Sequence, residues 1–94
     1  MTLDKCRKAL DDIDRQLVGL LEQRMAVSRQ VAVVKKMTGL PVFDAPREAV
    51  VLESRRAMAK DAGNEAAIVA VYEAILAQSR DVQACLMNND NSTE

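Results

Sequence analysis

The sequence predicts an all-α protein, and three observations support this class. Residues 10–36 place apolar side chains at the alternating three- and four-residue spacing of one helix face. The 3 Gly and 2 Pro fall mostly at two places, which divide the chain into three segments. Aromatic residues make up only 2% of the chain, and the β-branched runs between turns that mark strands are missing. Ninety-four residues suit one domain, so we expect three helices packed as a bundle.

The first helix is expected at about residues 4–38. Thr2 or Asp4 can cap its start, and Gly39 follows its end. At 1.5 Å per residue it would be about 50 Å long, whereas a compact domain of this size is only about 30 Å across. A helix that is longer than its own domain would leave part of its apolar stripe exposed to water, and an exposed stripe of this size usually marks an interface. We therefore expect an intertwined homodimer in which a second copy covers the stripe.

Two shorter helices follow. Asp44 can cap the second helix and Pro46 suits its first turn, which places this helix at about residues 45–60. The turn at residues 61–64 contains Gly63, and a third helix is expected at about residues 65–87. Residues 1–87 then form one domain, and the polar residues 88–94 are expected to be a disordered tail.

Composition excludes several classes of function. The 13 basic and 14 acidic residues are interspersed, which leaves no electrostatic footprint for nucleic acid or a membrane surface. The absence of His, with only 2 Cys, argues against metal sites and nucleophilic triads, so neither a metal nor another cofactor is expected. The charged N-terminus has no hydrophobic signal core, and no apolar run is long enough for a membrane span. We expect a cytoplasmic protein.

Cations interrupt the apolar face of the first helix. Arg24 and Lys35 are eleven residues apart, close to three turns, so they point the same way about 16 Å apart along the axis. Ser28 and other small residues lie between them, leaving a pit suited to a small dicarboxylate that an Arg can bind with two hydrogen bonds. Taken singly, the Arg could instead set the register of the bundle, and the Lys could simply extend to solvent.

Arg7 stands seventeen residues before Arg24 on the same helix. This separation is about 25 Å along the axis and roughly 100° around it, so the two cannot share a site within one chain. In a dimer with antiparallel long helices, Arg7 can reach the site of the partner. Considered alone, it could be a solvated surface charge.

Polar residues also stand on faces of the other two helices. Arg47 and Glu48 occupy the first turn of the second helix, where a carboxylate also suits the helix dipole. Ser79 and Gln83 are one turn apart on the third helix and can face one cavity. Together with the interrupted first helix, these residues predict a polar pocket inside the bundle.

The order and spacing of these residues resemble those of the all-helical class of chorismate mutases. The resemblance rests on Arg7, the run IDRQLVGLLEQR that ends at Arg24, Lys35, the connection PVFDAPRE at residues 41–48, and the pair Ser79 and Gln83. It extends from Leu3 to about Leu86. The family implies three helices per chain and two intertwined copies with shared active sites.

The resemblance implies roles for individual residues. Arg24, Arg47 and Arg7 of the partner subunit would bind the two carboxylates of the substrate. Lys35 and Gln83 would donate hydrogen bonds to its ether oxygen, so that Lys35, Gln83 and Arg24 would be the catalytic residues.

Three further positions would complete the site. Glu48 would accept a hydrogen bond from the ring hydroxyl of the substrate, with help from the backbone at Asp44. Ser79 would line the carboxylate end of the pocket.

The reaction implied is the rearrangement of chorismate to prephenate in the shikimate pathway, which leads to phenylalanine and tyrosine. A single pericyclic step needs no nucleophile, metal or cofactor. Two alternatives stay open at the level of sequence. One is an isochorismate-pyruvate lyase of the same fold, and the other is a non-catalytic helical dimerisation or regulatory module in which the polar residues set the register.

Overall fold

The chain forms three helices in a computed structural model that describes the backbone of residues 2–92 and the side chains of residues 2–88. Helix α1 spans Leu3–Thr38, α2 spans Ala45–Met58 and α3 spans Glu65–Ser92. A short 3-10 turn, Ala62–Asn64, precedes α3. No strand occurs within residues 2–92, and the predicted all-α class is confirmed.

Both ends of α1 are fixed by local hydrogen bonds. The Thr2 hydroxyl accepts from the backbone N–H of Lys5 at 3.2 Å and caps the start. Gly39 adopts φ 72°, and the N–H of Leu40 donates to the carbonyl of Lys35 at 2.8 Å. This is the Schellman motif, in which a residue in the left-handed conformation lets the following backbone N–H groups donate to the last carbonyls of the helix. The 36 residues between these caps form a helix about 54 Å long.

Helix α2 starts as predicted and ends earlier. The Asp44 carboxylate accepts from the N–H of Arg47 at 3.0 Å. The helix was expected to end at about Lys60 and ends two residues earlier, at Met58, because Ala59 is extended, with ψ 124°. Asp61 accepts from the N–H of Gly63 at 2.9 Å and starts the 3-10 turn. A side chain that bonds nearby backbone in this way competes with helix continuation.

Helix α3 is longer than predicted. We expected its end near Met87, whereas the backbone is helical through Ser92. Asn and Asp cost only about 0.7 kcal/mol relative to Ala, and an existing helix gains one hydrogen bond for each residue added. The predicted tail at residues 88–94 therefore begins as helix, and residues 93 and 94 lie outside the described part.

Helix α3 packs against both α1 and α2, and the resulting core is small. The buried apolar side chains are Ala32, Val51 and Leu76. The accessible surface is 7159 Å², against about 5,350 Å² expected for a compact protein of this mass. The radius of gyration is 16.7 Å, against about 12 Å for a compact chain of this length. The chain by itself is extended.

Much of the uncovered surface is apolar and belongs to α1. More than half of the Leu20 side chain is exposed, at 60%, and other large aliphatic side chains of this helix are similarly exposed: Leu3, Leu10, Ile13, Leu17, Val27 and Val34. An exposed stripe of this length is typical of an interface. The homodimer stays a prediction. Among the described helices, none has the length and apolar content needed to cross a membrane.

An ion-pair cluster joins the end of α2 to the start of α3. Arg56 binds the Glu53 carboxylate one turn earlier and contacts Glu65 at 3.3 Å. The hydrogen bond from Arg56 lowers the pKa of Glu53, and the same contact raises the pKa of Arg56. The cluster is exposed and lies outside the cavity described below.

Candidate active site

A cavity of about 330 Å³ lies between the three helices. Its walls combine aliphatic side chains with the polar residues singled out from the sequence. The structure brings together all of the predicted site residues except Arg7: Arg24, Lys35, Asp44, Arg47, Glu48, Ser79 and Gln83. This volume is at the small end of the range for ligand pockets and suits a small metabolite.

Lys35 is the best-anchored cation of the cavity. Its ammonium donates to the backbone carbonyl of Val42 at 2.6 Å and to Oε1 of Gln83 at 3.0 Å. An ammonium has three N–H donors, so one is left for a ligand. The contact with Val42 also ties the connection between α1 and α2 to the cavity, and sequence periodicity gave no sign of this bond.

Two buried serines join α1 to α3. The hydroxyls of Ser28 and Ser79 are 2.7 Å apart, and both side chains are buried. The side-chain amide of Gln83 donates to Ser79 at 3.4 Å, a long bond. Because Lys35 can only donate, the Gln83 oxygen faces Lys35 and its NH2 group faces Ser79. A continuous polar chain therefore runs from Lys35 to Ser28 through the packed interface.

Glu48, one of two carboxylates that line the cavity, is paired with a cation. Glu48 forms an ion pair with Arg80, and the Arg80 guanidinium lies 5.4 Å from the centroid of the Phe43 ring. Sequence reasoning missed Arg80, because a charged residue next to Ser79 on a helix would ordinarily be expected to point to solvent. One signal could have found it: a carboxylate inside a pocket requires a counter-charge, and Arg80 was the nearest unassigned cation on a facing helix.

Arg24 and Arg47 both line the cavity, with Arg24 half-buried and Arg47 exposed. Neither guanidinium is paired with a carboxylate within the described residues. The lining holds four cations (Arg24, Lys35, Arg47, Arg80) and two carboxylates (Asp44, Glu48), a net charge of 4 − 2 = +2. The whole chain has a net charge of −1, so this positive charge is local. It matches a small dianion.

The cavity is open on one side, and Arg7 lies far from it. Val27 and Val31 line the cavity yet remain 54% and 38% exposed. Arg7 is exposed on α1, seventeen residues from Arg24 and thus about 25 Å away along the axis. The chain's own fold does not bring Arg7 to its cavity.

The chain is an all-α protein whose three helices enclose a cavity with an excess of cationic side chains. The chain belongs to the chorismate mutase type II family, whose model matches residues 6–84. The resemblance stated from the sequence is therefore confirmed.

Three curated proteins are similar to parts of the chain. Over 67 residues the chain is 36% identical to a T-protein of Haemophilus influenzae, covering 71% of this chain and 18% of that protein. Over 59 residues it is 30% identical to a chorismate mutase of Methanocaldococcus jannaschii, covering 63% of this chain and 60% of that protein. Over 50 residues it is 47% identical to a 3-dehydroquinate dehydratase of Pyrobaculum aerophilum, covering 53% of this chain and 17% of that protein. The matches thus span 60% or less of each relative. No solved structure matches the chain closely enough to count as a relative.

Proposed function

We propose that this chain is a chorismate mutase that rearranges chorismate to prephenate, on the route to phenylalanine and tyrosine. The observation that carries the proposal is the cavity with a net charge of +2 in which Lys35 is bonded to Gln83. Family membership and the relatives named chorismate mutase and T-protein support it. Chorismate is a small dianion with two carboxylates, which is the ligand chemistry that such a cavity favours.

The reaction makes two demands on the protein. In the rearrangement the ether C–O bond breaks while a C–C bond forms to the ring, with no atom lost and no proton transferred. The protein must hold a reactive conformer, which is an orientation effect. It must also stabilise the negative charge that grows on the ether oxygen, which is an electrostatic effect. Fixed cations and neutral donors suffice for both.

Lys35 and Gln83 suit the second demand. Two bonds fix the Lys35 ammonium and leave its third N–H free to donate to the ether oxygen. Within the described residues, the Gln83 NH2 group makes one long bond, to Ser79, so its second N–H can donate to the same oxygen while Oε1 keeps its bond from Lys35. Donors that are already oriented lose little free energy in reorganisation as the charge develops.

The arginines suit the first demand. Arg24 and Arg47 offer to the two carboxylates guanidinium groups that form no ion pair within the described residues, and Arg7 of the partner subunit supplies a third. Glu48 accepts the ring hydroxyl with help from the backbone at Asp44.

Ser79 lines the carboxylate end of the cavity. Its hydroxyl is already bonded to Ser28, which fixes its position on α3. We assign it a contact with the substrate rather than a part in the bond rearrangement.

We further propose that the active form is a homodimer with two shared sites. Three features support this form: the exposed apolar stripe of α1, the open side of the cavity at Val27 and Val31, and the excess of surface over a compact protein. Light scattering on the purified chain is expected to give twice the mass of 10.3 kDa. A monomer at micromolar concentration with full activity would contradict the shared site.

One assay tests the activity. Purified chain is mixed with chorismate, and the loss of its ultraviolet absorbance is followed while the product is identified. Prephenate is the expected product. Conversion of isochorismate to salicylate and pyruvate, with chorismate left intact, would instead identify a lyase of the same fold. No turnover of either compound would support a helical dimerisation or regulatory module.

A further inference from the structure

We propose that Arg80 is a positioning residue that orients Glu48 for the ring hydroxyl of the substrate, an inference that rests on the proposed function. Arg80 lies on α3 and its ion-pair partner lies in the first turn of α2, so the contact crosses from one helix to another. Both side chains line the cavity, and Glu48 is the less exposed, at 19% against 35%.

The contact has the form that positioning requires. Arg80 donates from Nη1 to Oε1 of Glu48. No other hydrogen bond to the Glu48 side chain occurs within the described residues, so Oε2 is left to accept from a ligand hydroxyl. When a planar guanidinium holds one oxygen of a carboxylate, the second oxygen points in a fixed direction. The second oxygen of a carboxylate on a free side chain has no fixed direction.

A second contact holds Arg80 itself. Its guanidinium stacks over Phe43, at 5.4 Å from the ring centroid, and Phe43 belongs to the connection between α1 and α2. The same connection is tied to Lys35 through the carbonyl of Val42. Arg80 thus fixes the carboxylate and borders the segment that anchors the proposed catalytic lysine. Charge alone would not require this arrangement, because the cavity would keep an excess of cations without Arg80.

A double-mutant cycle tests the inference. Arg80→Met removes the charge and keeps the aliphatic stem, and it is compared in the wild-type and Glu48→Gln backgrounds by kcat/KM for chorismate. In the wild-type background we expect a loss of about tenfold, carried mainly by KM, since a misplaced binding group weakens ground-state and transition-state binding alike. In the Glu48→Gln background we expect less than about a twofold further loss, because Arg80 would act through Glu48.

Two controls accompany the cycle. Arg56→Met breaks the other α2–α3 ion pair, outside the cavity, and is expected to leave KM unchanged. Arg80→Lys retains a cation near Glu48 without the planar guanidinium, so it is expected to recover only part of the lost affinity. If Arg80→Met fails to fold by circular dichroism, the remaining loss in Arg80→Lys is compared in the same two backgrounds instead. Equal losses from Arg80→Met in both backgrounds, or no loss in either, would overturn the positioning role while the proposed function stands. A wild-type chain that turns over no chorismate would overturn the proposed function and this inference with it.

Discussion

The two halves of α1 have different surroundings although they belong to one continuous helix. The C-terminal half, from Arg24 to Thr38, contains both buried residues of this helix, Ser28 and Ala32, and lines the cavity. In the N-terminal half, from Leu3 to Gln23, the apolar stripe is mostly exposed, and Arg7 is exposed with it. The comparison teaches that the chain's own fold packs against one half only, and even there leaves Val27 and Val34 exposed. The other half carries the exposed apolar stripe that we propose a second copy covers.

The largest effect is expected in the C-terminal half. Lys35→Ala removes the fixed ammonium from the cavity, and loss of one preorganised donor of this kind costs a factor of about 100 or more in turnover. The measurement is kcat for chorismate, with circular dichroism to show that the helices persist. Lys60→Ala, which removes an exposed lysine outside the cavity, is the matched control and is expected to be silent. A near-normal rate in Lys35→Ala would end its assignment as a catalytic residue.

The second effect tests whether the N-terminal half serves another chain. Arg7→Ala and Arg24→Ala are each expected to be impaired, and the two variants are then unfolded, mixed in equal amounts and refolded. Half of the dimers would be mixed, each with one intact site and one site lacking both residues, so about a quarter of wild-type activity returns.

A second mixture sharpens this test. Arg24→Ala combined with Lys35→Ala should recover no activity, since both residues belong to the same chain's cavity. Recovery in this mixture, or its absence in the first, would be incompatible with an Arg7 that crosses to the partner.

A third, smaller effect concerns Gln83, the residue of α3 that binds Lys35 in the C-terminal half. An amide does not titrate, so the wild-type rate is expected to be flat from about pH 5 to about pH 8. In Gln83→Glu only the protonated carboxyl can donate, and the neighbouring Lys35 ammonium favours the ionised form, which lowers the carboxyl pKa.

The rate of Gln83→Glu should therefore fall as pH rises through that lowered pKa. We expect it to be about tenfold or more below wild type at neutral pH. Profiles of kcat/KM against pH for the two proteins decide the matter. A pH-independent Gln83→Glu enzyme would remove Gln83 from the ether oxygen.

The smallest effect compares the glycine that follows the C-terminal half with a glycine inside the N-terminal half. Gly39→Ala places a Cβ on a residue at φ 72° and is expected to destabilise the fold by about 1 kcal/mol. Gly19→Ala fills an ordinary helical position and is expected to stabilise it by about 0.5 to 1 kcal/mol. An added Cβ meets no atom within 4 Å at either place, so backbone conformation sets both signs. Urea unfolding measures the two free energies, and shifts of equal sign would refute the interpretation.

Helix positions could be predicted where their signals are local. Thr2 and Asp44 each cap the start of a helix and Gly39 follows the end of one, through hydrogen bonds between residues at most five positions apart. Capping residues so close to the helix they cap can be recognised directly in the sequence. The turn at residues 61–64 that follows α2 was also expected, and the helix ends two residues before the expected position because Asp61 bonds the backbone of its own turn.

In the candidate site too, features within one helix could be predicted and contacts between elements could not. The spacing of Arg24 and Lys35 on one helix predicts a common face, and the structure places both at one cavity. The bond from Lys35 to the Val42 carbonyl and the pairing of Arg80 with Glu48 depend on how separate elements approach one another. Such contacts follow from tertiary packing, which the pattern of a single helix does not encode. The roles of the site residues stay predictions for the experiments above.

The small core has a consequence for how this protein would be handled. Among residues 2–88, the three buried apolar side chains, Ala32, Val51 and Leu76, offer little free energy against the conformational entropy of the chain. For the proposed dimer, folding and association then become one equilibrium, so the folded fraction depends on protein concentration. Dilution should lower the melting temperature and the activity per chain together, so assays on this protein need a stated concentration as much as a stated pH.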